Sequence, residues 1–432
     1  MAPPAVAKIQ NPQDMESTGG NKAAFFRAIK AGDRTTVGQL LDSDISLIGA
    51  HEDECFGATA LGLAAERNDL PLIDLLLERG ADVNGKSTWW AGGFGPLDLA
   101  NGETTRYLLS KGATLTAHAA ARLGWVDELK EILGKDPSVV AQRGGDGQFP
   151  LHYASTPEIV DILVDAGAEL EARDLDHVST AAQTRITDTA VCRRLIERGA
   201  RPDIFIAVML EDLPLLNRLI DADPECLSRT PVDPGNPMIP SAPGLPIYTY
   251  NIGLGRPFQV ALHKGRVFVS QTIYERSSPA QRLLIACWSG DASAAKALAG
   301  HVTELTPRDH AMLAAAAWDR KLAVVRLMLE LGFDPDATGV HHSSALDRAA
   351  FHGFDDIVEL ILRYKPSLAI ENEFGGTPLR ACIYGSTNSW RRDGNFPRCV
   401  ELLLDAGSPR PEKHQGSPAV NEVLRRYGIE IG

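Results

Sequence analysis

Apolar and polar positions recur along this chain in a fixed order. In residues 58–84 (ATALGLAAERNDLPLIDLLLERGADVN) and again in 344–367 (SALDRAAFHGFDDIVELILRYKPS), a small–x–Leu–x–x–Ala–Ala stretch leads into a polar turn, an apolar run and a stop. Aligning the chain on the first apolar position of that stretch gives anchors at Phe25, Leu61, Leu97, Ala117, Leu151, Ala182, Ile204, Phe258, Leu283, Leu313, Leu346 and Leu379. The steps between them average about 32 residues, with extremes of 20 and 54. Such a period marks a stacked-repeat architecture, in which one unit cannot bury its own apolar face and must lean on its neighbours.

Each period predicts two helices. In the unit anchored at Leu313, Ala314 to Ala317 offer a small-residue face that lets neighbouring first helices approach closely, and Asp319-Arg320 form the turn. Val324, Val325, Leu327, Met328 and Leu329 then supply the apolar face of a second helix. Gly332 stops it as a left-handed C-cap, and Gly80, Gly112, Gly167, Gly199 and Gly407 stand at the same place in other units. Elsewhere Asp136-Pro137, Asp223-Pro224 and Lys365-Pro366 stop the second helix, because proline cannot continue it.

These units resemble ankyrin repeats. The family's Thr-Pro-Leu-His opening is visible as Phe149-Pro150-Leu151-His152, Gly95-Pro96-Leu97-Asp98 and Thr377-Pro378-Leu379-Arg380, and its Gly-Ala-Asp ending as Gly80-Ala81-Asp82. The motif is strong at anchors 61, 151, 346 and 379 and degenerate or shortened elsewhere, where the period alone carries it. The resemblance spans roughly residues 22–410. It implies an all-α solenoid of about twelve L-shaped helix–turn–helix units with short β-hairpin fingers, whose concave face of fingers and first helices binds a protein. It also implies that His152 forms hydrogen bonds between neighbouring units. The expected organisation is a flexible lead-in at 1–21, repeats at 22–228 and 256–414, a proline-rich finger insertion at 229–255, and a capping helix within 415–432.

Departures from the repeat are the places to look for function. The steps 97→117 and 182→204 are about ten residues short, so a helix turn or a finger is trimmed there. The finger at 85–95 carries Trp89, Trp90 and Phe94 among four glycines; it either binds a partner or folds down over the short unit that follows. In the longest step, Pro231, Pro234, Pro237, Pro240, Pro243 and Pro246 recur every third residue, which suits one edge of a polyproline II helix. Ile247 to Ile252 follow with the period-two alternation of a strand. Within the last full unit, Trp390, Arg391 and Arg392 occupy a loop between helices, either as a carboxylate or phosphate site or as a solvated tip.

Composition narrows the function. Against 43 Lys and Arg stand 56 Asp and Glu, a net charge of −13, which argues against nucleic acid or an anionic membrane as partner and for a basic or neutral protein. No apolar run approaches the ~18–20 residues of a membrane span. The first 22 residues hold no apolar secretory segment, and the six cysteines are scattered without a CxxC pair; both suit a reduced, cytoplasmic protein.

Catalytic signatures such as GxGxxG, GxxxxGK, HExxH and GxSxG are absent. His51, Asp53 and Cys55 would share one face of an extended finger, but one hairpin rarely completes a metal site. The adjacent His341 and His342 would point to opposite sides of a strand. Asp174 and Asp176 flank His177, and Glu371 and Glu373 flank Phe374; on exposed fingers such carboxylates keep ordinary pKa values. The expectation is therefore a monomeric, non-enzymatic scaffold without cofactor or metal. Its partner-binding candidates are Trp89, Trp90, Phe94, Arg143, Asp146, Asp174, His177, Tyr248, Tyr250 and Phe374. The alternatives are a small-molecule or hydrolytic site around the proline-rich insertion, or a spacer whose aromatic loops are buried.

Overall fold

The computed structural model describes residues 12–233, 246–253, 255–391, 393–411 and 413–432. The chain divides into two compact units, Met1–Val260 and Ala261–Gly432. Both are built from paired helices, and among the described residues the β-structure consists of isolated bridges only.

In the first unit the pairs are Pro12–Ala31 with Arg34–Ser43, Ala60–Glu66 with Leu70–Glu78, Pro96–Leu99 with Gly102–Ser110, and Ala117–Leu123 with Val126–Lys135. Then follow Pro150–Tyr153 with Pro157–Asp165, Ala181–Thr184 with Thr189–Glu197, and Ile204–Leu210 with Leu213–Ala222. The second unit pairs Pro279–Ser289 with Ala292–Ala297, Met312–Trp318 with Leu322–Glu330, Ala345–His352 with Asp355–Leu362, and Pro378–Asn388 with Phe396–Asp405, and ends in Pro418–Arg426. Side-chain oxygens start many of these helices: Thr59, Thr116, Asp69, Asp188, Ser344 and Ser417 each accept a backbone N–H of the first turn.

First helices are the most deeply buried elements, and every residue of Ile204–Leu210 is buried. In Met312–Trp318 the small-residue face holds at Ala314, Ala316 and Ala317, but Ala315 is exposed, because a helix cannot turn four consecutive residues to one side. Val324, Val325, Leu327, Met328 and Leu329 are all buried in the second helix. Gly80, Gly112, Gly167, Gly199, Gly332 and Gly407 all have positive φ, between 89° and 108°.

Four expectations change on contact with the structure. Residues 12–21 of the expected lead-in belong to the helix Pro12–Ala31, and residues 1–11 lie outside the described residues. Each short unit has lost both a helix turn and a finger. Pro96–Leu99 and Ala181–Thr184 are single turns, and the links 111–116 and 198–203 run directly to the next helix. The hairpin fingers reduce to single bridges, His51 with Thr59, Arg173 with Thr180 and Thr338 with Ser344. Left-handed residues at the tips, among them Asp146, Gly147, His341 and His342, reverse the chain at once and leave no room for a ladder. Finally, Tyr248–Asn251 is a helical turn, not a strand. Helical spacing puts Tyr248 and Ile252 on one buried face and leaves Tyr250 outside, whereas a strand would align all three. The prolines at 234, 237, 240 and 243 lie outside the described residues.

Candidate functional site

Successive fingers of the first unit are bonded to one another through their main chains. The Asp146 N–H donates to the Gly92 carbonyl at 3.3 Å, and the Asp146 carbonyl accepts the N–H groups of Leu175 at 3.0 Å and Asp176 at 3.3 Å. Thr88 N–H donates to the Gly57 carbonyl at 3.0 Å. Fingers from four units thus form one continuous surface, 51–59, 85–95, 143–148 and 173–180. Gly147, at φ +67°, lies where a side chain would run into Leu175.

This surface gathers eight of the ten candidate residues. Trp89 is half-buried, edge-on to Phe56 at 4.8 Å and 5.9 Å from Trp90, which is 58% exposed. Phe94 is half-buried against Gly145 and 6.4 Å from Phe56. Arg143 donates to the carbonyls of Gly147 and Arg173 and lies 4.3 Å over the Phe149 ring, so it clamps two fingers together. Asp146 is half-buried. Asp174 is buried and accepts the His177 N–H at 2.6 Å. His177 lies 3.5 Å from the Asp176 carboxylate and 5.5 Å, ring to ring, from the exposed Tyr250.

The other two lie elsewhere. Tyr248 is 1% exposed, donates its hydroxyl to Asp203 at 2.7 Å and packs edge-on to Phe205. It is a core residue; alternation with Tyr250 made it look like a surface one. Phe374 is exposed on a finger of the second unit, beside His341 at 5.4 Å.

Burial rather than chemistry sets the unusual acidities. The Asp174 carboxyl is pushed up to about 6 by burial, against the hydrogen bonds it accepts from backbone N–H groups. Its finger position therefore does not give it an ordinary carboxylate's acidity. Asp146 is raised by burial and by the charge of Asp176, while His177 and the Trp89 indole pull it down. Asp203 is raised by burial, against donation from Tyr248 and Gln183. His152 is lowered to about 4 by burial; its Nδ1 accepts from the Phe149 N–H and its Nε2 faces the Ser179 carbonyl at 3.0 Å. That is the contact between neighbouring units that the resemblance implies.

Other candidate ligands are engaged separately. Asp53 pairs with Lys22 at 2.7 Å, Glu52 with Lys30 at 3.0 Å, and His51 faces the Gly57 carbonyl, so the first finger assembles no metal site. His341 pairs with Glu373, and His342 faces the Glu371 carbonyl at 2.9 Å. The loop expected over 385–397 shrinks to the link 389–395 between Pro378–Asn388 and Phe396–Asp405; there Trp390 is exposed but stands edge-on to Trp318 at 5.4 Å, and Arg391 lies 5.6 Å over Phe354. Arg392 lies outside the described residues. A cavity of about 450 Å³ opens between the fingers at 83–98 and 142–144, with His118 and Asp98 in its wall.

Comparison with known proteins finds relatives of some of these units. Residues 25–119 match the family model for ankyrin repeats (three copies), and residues 146–175 match the single ankyrin repeat. Those two stretches are ankyrin repeats. A 97-residue stretch is 34% identical to ankyrin repeat and SAM domain-containing protein 6 of Rattus norvegicus; it covers 22% of this chain and 11% of that protein. With the helical structure, these matches give an all-α ankyrin fold.

Sequence reading passed over one set of residues. Five positions after the anchors Leu283, Leu313, Leu346 and Leu379 stand Trp288, Trp318, Phe351 and Tyr384. Trp318 and Phe351 stack at 6.0 Å and 12°, and Phe351 and Tyr384 at 6.3 Å and 29°. Reading across the repeats at constant register, rather than along the chain, exposes this ladder. Phe56, at a finger tip with φ +52°, was missed for the same reason.

Proposed function

We propose that this protein is a non-enzymatic scaffold of about twelve repeats that binds a partner protein through its fingers and first helices. The observation that carries this reading is where large apolar side chains meet solvent. Phe56, Trp90, Leu175, Val340 and Phe374 are all exposed, and each lies on a different finger. Single exposed apolar residues are ordinary on a surface, and Val267, Phe268 and Trp390 are others off the fingers, but these five recur on one kind of element in different repeats. Trp89, Arg143 and Asp174 support this surface from within, while Tyr248 belongs to the core. Trp90, Phe94, Asp146, His177 and Tyr250 are the contacts in the first unit, and Phe374 in the second. The family's general role in protein–protein interaction points the same way. We further propose a basic or neutral partner, a monomeric scaffold and a cytoplasmic setting, without nucleic acid or membrane. A hydrolytic site at the proline-rich insertion gains no support, because the Tyr248 hydroxyl is committed to Asp203 in the core.

The test is affinity capture with cross-linking mass spectrometry, comparing wild type with Trp90→Ala/Tyr250→Ala after both are shown to melt alike. Both side chains are exposed, so the fold should tolerate the change. The expected result is a specific protein held by wild type, cross-linked near the fingers and lost by the variant. Equal capture by both would refute the finger assignment.

A further inference from the structure

The aromatic ladder on the first helices of the second unit is extended by the link 389–395. Trp318 stacks on Phe351 at 6.0 Å, and Phe351 on Tyr384 at 6.3 Å. Trp390 stands edge-on to Trp318 at 5.4 Å and to Phe351 at 6.1 Å, so four rings from three repeats adjoin. Tyr384 is 59% exposed and Trp390 62%. The link is tied to the preceding repeat. A side chain at Gly394 would strike the His352 carbonyl, the Asn395 N–H donates to the Gly353 carbonyl at 2.7 Å, the Asn395 side chain donates to Asp355 at 3.0 Å, and Arg320 pairs with Asp393. Trp390 is therefore presented from a fixed frame, which lowers the ordering cost of binding.

Charge and spacing say what would cover these rings. The first unit holds 23 Lys and Arg against 36 Asp and Glu, and the second holds 20 of each, so the net charge of −13 belongs wholly to the first. Beside the ladder three cations lie over rings: Arg348 over Trp318 at 4.5 Å, Lys321 over Trp288 at 5.1 Å and Arg391 over Phe354 at 5.6 Å. Among the described residues none of the three is in an ion pair, whereas Arg320, Arg363, Arg398 and Arg426 all are. The carboxylates acting on them are Asp347 and Glu373 at Arg348, and Asp319 at Lys321 and Arg391. Asp347 accepts from Asn372 at 3.0 Å and Glu373 pairs with His341, so neither closes a bridge to Arg348. The rung spacings of 6.0 and 6.3 Å nearly match the ~6.6–6.8 Å between alternate side chains of an extended chain. A polar atom also waits among the rings. His352 is 1% exposed, with Trp318 at 4.4 Å, Trp390 at 4.9 Å and Phe351 at 5.0 Å; its Nδ1 meets the Ser389 hydroxyl at 2.9 Å, while its Nε2 is buried without a partner. Such an atom costs stability, and a backbone group of a bound segment would satisfy it.

We propose that this face of the second unit docks an extended acidic segment of a partner protein. Alternate apolar side chains would lie on Phe351, Tyr384 and Trp390, and carboxylates between them would pair with Lys321, Arg348 and Arg391. Rings beside cations would also suit single-stranded nucleic acid, but a chain at −13 repels it as a whole. The inference adds to the scaffold reading a second partner of opposite charge, and it stands or falls apart from the finger assignment.

The test is selection of a phage-displayed library of random peptides on immobilised full-length protein, followed by affinity measurement on the synthesised winners. The expected winners are acidic with apolar residues at alternate positions. They should bind about tenfold more weakly to Tyr384→Ala/Trp390→Ala. Binding to Lys321→Glu/Arg391→Glu should be several-fold weaker, and raised salt should weaken binding to wild type. Binding to the finger variant Trp90→Ala/Tyr250→Ala should be unchanged. Melts of all variants are compared first, and Tyr384→Ala alone replaces the double variant if that unfolds. No enrichment, winners that are basic, or winners indifferent to the ladder or charge variants would overturn the proposal. So would a labelled oligothymidylate that wild type binds and the ladder variant loses, which would assign the face to nucleic acid.

Discussion

His152 and Asp174 meet at the Ser179 carbonyl, which the His152 ring faces and to which the Asp174 N–H donates, and their acidities pull stability in opposite directions. His152 falls from its ordinary 6.5 to about 4 in the fold. Its contribution is complete above pH 6.5 and is lost as pH falls through about 4, a change of roughly 3 kcal/mol. Asp174 rises from 3.8 to about 6. Its contribution is complete below pH 3.8 and is lost as pH rises through about 6. Denaturant melts at pH 4, 5, 6 and 7 should therefore separate the two. His152→Gln should flatten the loss of stability on acidification. Asp174→Asn should make that loss steeper and raise stability at pH 7, because the opposing group is gone. Identical pH profiles for wild type and both variants would contradict this account. The residue scale is also where sequence reading was weakest. A carboxylate on a finger looks exposed in sequence, and only the neighbouring finger, about 30 residues away, buries it.

Two glycines show how the elements are held, one by conformation and one by space. Gly332 ends its helix at φ +89° with open space around it, so Gly332→Ala should cost about 1 kcal/mol from backbone strain alone. Gly385 lies inside Pro378–Asn388, and a side chain there would strike the Phe351 backbone of the neighbouring first helix. Gly385→Ala should cost more, about 1–3 kcal/mol, by forcing the two helices apart. Denaturant unfolding of both variants tests the order; Gly332→Ala as the more damaging change would be the wrong way round. Sequence disclosed the Gly332 role, because a stop after an apolar run recurs at a fixed place. It hid the Gly385 role, because close approach depends on which residue of the next repeat lies opposite. The helix pairs, their anchors and their stops were legible for the same reason: each follows from local periodicity. The strand assigned to Ile247–Ile252 failed because two aromatic residues two apart fit a strand, while burial of Tyr248 with Ile252 selects a helical turn.

At the scale of the whole molecule, net charge and aromatic fingers make different demands on a partner, and rates separate them. A chain at −13 attracts a basic partner over distances of about 8–10 Å at ordinary salt, and screening weakens that attraction. Steering acts on the encounter, so raising salt should lower the association rate while the dissociation rate changes little. On the proposed reading, the exposed rings of Trp90 and Tyr250 act only after contact, through burial of ring surface. Replacing them with alanine should raise the dissociation rate and leave the salt dependence of association as it was. Surface-plasmon measurements with the captured partner, across a salt series and for both proteins, check the pair of expectations. If salt leaves association untouched, charge has no part in recognition and a neutral partner is indicated. If the double variant changes association rather than dissociation, the rings guide approach instead of holding the complex, and the fingers recognise their partner by some other contact.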